Sequence, residues 1–133
     1  MTQIGSFSDV VGRFRRNWTG YIREYRVFWV LTVLAAGADM ASTIYIMLRE
    51  GPQAEGHPVV RLISTVFGAV LGPILGKICQ FLVVIVLTVF LRRQAVYIFV
   101  AVIILYARAA WYNIWGCHLY YPRLLELLER LRI

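Results

Sequence analysis

From Pro58 to Leu91 the chain runs for 34 residues with only Arg61 and Lys77 as charged interruptions. An apolar run beyond about 18 residues marks a membrane crossing rather than a soluble core. As one straight helix it would be about 50 Å long, against a hydrocarbon layer about 30 Å thick, so it needs strong tilt or a break. Gly68, Gly72 and Pro73 are the expected places for that break. The run then divides into a short outer helix at 58–67 and a span at 68–91. Residues 27–48 and 95–115 supply two further stretches of span length.

Composition supports this reading. The 133 residues are 60% hydrophobic and 16% charged, where a soluble domain averages about 45–50% and about 25%. The net charge of +7 is therefore not the solvated basic surface of a nucleic-acid binder, and nucleic acid is excluded as a partner. The expected fold is a single all-α integral membrane domain with three transmembrane helices. Amphipathic helices at both ends and the short outer helix complete it.

The first of these end helices is expected at 7–26. Phe7, Val10, Val11, Phe14, Trp18, Tyr21, Ile22 and Tyr25 recur at three- and four-residue steps, with Arg13, Arg15, Arg16 and Arg23 around the rest of the circumference. That pattern suits a helix in the cytoplasmic headgroup layer, its arginines on anionic lipid. It is not a signal peptide, since no apolar core precedes residue 27, and Asp9 and Glu24 argue against a mitochondrial targeting helix. The second end helix is expected at 122–132, with Pro122 in its first turn and a leucine stripe opposite Arg123, Glu126, Glu129, Arg130 and Arg132.

Arginines near the spans favour an orientation with the N-terminus in the cytoplasm and the C-terminus outside. Arg13, Arg15, Arg16, Arg23, Arg26, Arg92 and Arg93 then lie inside, against Arg49, Arg61, Arg123, Arg130 and Arg132 outside. Trp29, Trp111, Trp115, Tyr120 and Tyr121 fit interfacial aromatic belts, and Cys79 and Cys117, at different depths, are read as free thiols.

Charges inside a membrane cost about 2.5–3.5 kcal/mol each on insertion scales, so they pair and face the bundle interior. Asp39, Lys77 and Arg108 lie on three different spans at about 18, 22 and 21 Å from the same side, by helical rise. They are expected to form one cluster, a carboxylate between two cations. Thr43 shares the Asp39 stripe, Trp111, Tyr112 and Trp115 share that of Arg108, and Gln80 and Thr88 lie near the Lys77 face. Gly68, Gly72 and Gly76 form a small-residue stripe that lets another helix approach closely. In the outer loop, His57 precedes Pro58 and is expected to cap the helix that starts there, while Glu55 pairs with its amides or with an arginine. A metal site built from Glu55, His57 and either Asp39 or His118 is the weaker reading, because no fixed ligand spacing supports it.

Asp39 with Thr43, then Glu55-Gly56-His57-Pro58, then Lys77, resembles a widespread prokaryotic group of small membrane proteins without assigned function. The likeness covers about residues 30 to 115. That group shows an aspartate with a threonine four residues on, then Glu-x-Asn-Pro, then a lysine in the next helix. The resemblance implies a three-helix fold in a prokaryotic inner membrane and a shared polar cluster, and no activity. His57 stands where the group has asparagine, so an asparagine-specific contact does not carry over.

No nucleophile elbow, phosphate loop, haem-attachment motif or paired-cysteine site is present. The favoured expectation is an accessory subunit of a larger integral membrane complex, respiratory or photosynthetic in type. Its end helices, aromatics and small-residue stripe would dock larger membrane subunits. Bound lipid is expected, and His118 could reach a haem or pigment of a neighbour, though an interfacial hydrogen bond is its favoured use. The second expectation is an oligomeric transporter or channel built on Asp39, Lys77 and Arg108. The third is an intramembrane enzyme with Glu55 and His57 as acid and base.

Overall fold

The computed structural model describes residues 7–115. In chain order its helices are α1 (Phe7–Trp18), α2 (Tyr21–Glu24), α3 (Arg26–Glu50), α4 (Pro58–Phe90) and α5 (Ala95–Trp115). Turns of 3-10 helix at Pro52–Ala54 and Arg92–Gln94 join the last three, and the described residues include no strand. Three of the helical segments are long and apolar enough to cross a membrane: α3, α4, and α5 with its preceding turn. The 122–132 helix, Cys117, His118, Tyr120 and Tyr121 lie outside the described residues.

The segment 7–26 is not one helix. Gly20 adopts a left-handed conformation (φ 74°) after Thr19, ending α1 and setting off the single turn α2 before α3 begins at Arg26. The break lets Tyr21 and Tyr25 turn inward, where both are buried. Their rings pack with Val84, Val89, Ala95 and Phe99, and Phe14, Phe28 and Trp29 surround that core. Trp29, near the start of α3, is half-buried against Phe81 and Phe99.

α3 and α5 run parallel, Phe28 beside Phe99 and Ser42 beside Asn113, at the same separation of 71 residues. At that separation Asp39 falls opposite Ala110, which is buried and small enough to admit close approach. α4 returns antiparallel to both, with Trp29 beside Phe81 near one end and Asp39 beside Lys77 further along.

Helix α4 folds back on itself at Gly68, whose backbone (φ 88°, ψ 173°) lies in a region essentially reserved for glycine. A straight helix would hold Ser64 and Gly72 about 12 Å apart. Here a methyl group built on Gly72 would collide with the Ser64 backbone, and one on Gly76 would lie 3.1 Å from a Val60 methyl. Both pairs are symmetric about Gly68, so the arm 58–67 runs back along 69–76. The small-residue stripe is occupied, and its partner is the chain's own preceding arm.

Candidate functional site

The fold-back delivers the start of α4 to the level of its middle, and with it the loop that carries Glu55 and His57. Glu55 Oε1 accepts the His57 backbone N–H at 2.8 Å. The His57 ring Nδ1 accepts the Val60 N–H at 3.5 Å, and Pro58 occupies the first helical turn. These contacts satisfy amide donors that a helix start otherwise leaves open. His57 does with a ring nitrogen what an asparagine oxygen could do at the same place.

Across from this turn, Lys77 Nζ donates to Asp39 Oδ2 at 2.5 Å and to Gln80 Oε1 at 3.0 Å. It also stands 3.8 Å from the centre of the Tyr106 ring. An ammonium has three donors and no acceptor, so a carboxylate, an amide oxygen and an aromatic face engage it from three directions. Both charged side chains are only 12% exposed. Ser42 Oγ donates to the Asp39 carbonyl, and Asn113 Nδ2 donates to Ser42 Oγ and Thr43 Oγ1 at 3.0 and 3.1 Å. Helix α5 thereby joins the polar layer through Asn113 and Tyr106.

Arg108 is not in this layer. It lies on an exposed face of α5, and among the described residues it holds no ion pair. Trp111, Tyr112 and Trp115 share that outward side. Helical rise placed Arg108 at the right height, but two residues further on, Ala110 is the one that meets α3, and a two-residue step turns a helix by about 200°. The stripe Phe99, Val102, Tyr106, Ala109 and Asn113, at three- and four-residue steps, was the signal for the inward face of α5.

A cavity of about 630 Å³ lies between α4 and α5 with α3 as its floor. Its polar end is lined by Asp39, Lys77, Gln80, Glu55, His57 and Asn113, and its apolar end by Val83, Leu87, Ile98, Val102 and Leu105. An adjoining space of about 490 Å³ shares Thr43, Glu55, His57, Ala109 and Asn113 with it. Cys79 also lines the larger cavity, as a free thiol. Among the described residues, no three His, Cys, Asp or Glu side chains gather as a metal site.

At the other end, Arg92 ties the N-terminal segment down. It donates to the carbonyls of Asn17 and Thr19 at 2.8 and 3.1 Å and pairs with Glu24, while Asn17 Nδ2 donates to the Val89 carbonyl. The Arg92 guanidinium holds the Glu24 carboxyl below its ordinary value, and burial raises the Tyr21 and Tyr25 hydroxyls. Arg13, Arg15, Arg16 and Arg23 remain exposed.

No family model, curated protein or solved structure matches this chain.

Proposed function

We propose that this protein is an integral membrane protein that binds a small molecule between α4 and α5 and moves it as a transporter assembled from copies of itself. The observation that carries the proposal is the open cavity with a charge pair in its wall. Ionisable groups within a membrane span characteristically line substrate or ion pathways. Irregular backbone at membrane depth is tolerated where it borders a cavity, and binding sites in transporters are built around interrupted helices. The turn that carries Glu55 and His57 fits that pattern, since both residues line the cavity; the Gly68 fold-back serves by bringing that turn to the level of Lys77. On the same reading the exposed arginines of α1 and α2 rest on anionic lipid, with the N-terminus in the cytoplasm.

The accessory-subunit reading loses two of its supports. The small-residue stripe that would receive a partner helix is filled by Val60 and Ser64. The N-terminal segment that would dock elsewhere places Phe14, Tyr21 and Tyr25 on its own bundle. Three spans alone do not enclose a pathway, so self-association is part of the proposal.

The test is the composition of the particle extracted from its own membrane in mild detergent, by native electrophoresis and mass spectrometry. A particle made of copies of this chain alone is the expected result. Co-migration with a stoichiometric set of larger membrane subunits overturns the proposal in favour of the accessory reading.

A further inference from the structure

We propose that the molecule held between α4 and α5 is a lipophilic amine, an alkylammonium whose head meets Glu55 and Asp39 and whose tail lies along the apolar half of the cavity. This rests on the small-molecule reading above and adds the chemical class of the ligand.

The argument is one of complementarity. The formal charges lining the cavity are two carboxylates and one ammonium. Lys77 is fully engaged by Asp39, Gln80 and the Tyr106 ring. Each carboxylate keeps an oxygen in hand: Asp39 uses Oδ2 on Lys77, and Glu55 uses Oε1 on the His57 amide, while among the described residues Oδ1 and Oε2 have no partner. No cation among the described residues pairs with Glu55. The partial positive charge of the α4 N-terminus offsets roughly half of one negative charge, so the polar end still carries a net negative excess. A head that brings both positive charge and N–H donors satisfies both free oxygens. A carboxylate or phosphate head would bring a like charge up to the same oxygens and be repelled by them.

The opposite end sets the rest of the ligand. Leu87, Ile98, Val102 and Leu105 offer no hydrogen-bonding side chain, and Val83 on the rim is 57% exposed, so that side is open in the plane of the proposed membrane. A volume of about 630 Å³ falls within the roughly 300–1,000 Å³ range of small-molecule sites. An alkyl chain attached to one amine fits it without a second polar group.

The test uses three probes with one tail, decylamine, decanol and decanoate, added to the purified full-length protein in a non-ionic detergent and counted as bound adducts by native mass spectrometry. Decylamine is expected to bind in preference to the other two. E55Q, whose amide oxygen can still accept the His57 N–H, is expected to weaken decylamine binding about tenfold or more, the effect of losing a charged hydrogen bond, with little change for decanol. V83W, which fills the rim, is expected to abolish binding of all three. Binding of decanoate or decanol equal to decylamine, with V83W still blocking, overturns the amine assignment and leaves the cavity reading standing. No binding of any probe, or binding indifferent to V83W, overturns both.

Discussion

At the Tyr21 end of the bundle α1, α2 and the three long helices close around interlocked rings, whereas at the Asp39 end the same long helices part around a cavity. In the closed end Phe28 stacks on Phe99, Trp29 meets Phe99 edge-on at 5.1 Å, and Tyr25 and Phe14 seal the flanks. Three of its polar side chains find partners across elements, Tyr21 with Thr88, Tyr25 with the Arg92 carbonyl and Asn17 with the Val89 carbonyl, while the buried Trp29 indole N–H has none. In the open end small residues draw the arms of α4 together while the charged pair and the Glu55 turn border empty volume. One end spends its side chains on packing and the other leaves carboxylate oxygens facing empty volume. The two should therefore respond differently to substitution.

The largest effect is expected at the Asp39–Lys77 pair, which joins α3 to α4 at the open end. K77M strands a carboxylate that is 12% exposed, and D39N strands the ammonium. Each is expected to cost about 3 kcal/mol or more, while the double variant D39N/K77M recovers most of that, because replacing both partners of a buried pair is often near neutral. Thermal unfolding of the three variants in one detergent checks this. Equal losses in the single and double variants would show that the pair does not hold the open end together.

Next come the glycines of the fold-back. G72A meets the Ser64 backbone, which cannot yield, and should destabilise by about 1–3 kcal/mol. G68A forces an L-residue into a glycine-only conformation at a similar cost of about 1–3 kcal/mol. G76A meets only a Val60 methyl at 3.1 Å and should cost less than about 1 kcal/mol. The order of melting temperatures, with G76A nearest wild type, distinguishes a fold-back from a mere bend, since in a bend G72A would be harmless.

At the closed end the expected effects are smaller and concern single contacts. The Thr88 hydroxyl donates its one hydrogen to the Val84 carbonyl, so Tyr21 must be the donor in their 2.5 Å contact. Y21F keeps the ring and removes that donor, for about 1 kcal/mol.

The smallest effect concerns Glu24. Its folded-state pKa is held below the ordinary 4.5 by Arg92, so its contribution is present above pH 4.5 and is lost as pH falls through the lower folded value. The pair is exposed and should also weaken with salt. Melting temperature measured downward from pH 4.5 should drop slightly further in wild type than in E24Q.

Much of this contrast could be read in the sequence, and the remainder was hidden for definite reasons. Helical rise alone puts Asp39 and Lys77 at one height, and apolar length alone finds the three long helices. Height says nothing of azimuth, which is why Arg108 stands at the right level and on the wrong side. An apolar stripe looks the same whether it faces lipid or protein, so the rings at Tyr21 and Tyr25 read as a membrane-facing surface although they are core. Gly68, Gly72 and Pro73 announce a break in α4, but its direction depends on the backbone angles at Gly68 and on how closely Ser64 can approach Gly72. Tyr106 escaped notice because its role is an aromatic face offered to a cation, which no polar spacing marks.

The most direct check of the division between the two ends is to measure melting temperature and decylamine binding on the same preparations of two variants, Y21F at the closed end and V83W at the open one. Y21F should melt at lower temperature and bind as wild type does, while V83W should melt near wild type and bind nothing. If V83W binds normally, or if folded Y21F loses the ligand, the open end is not the site and the division fails.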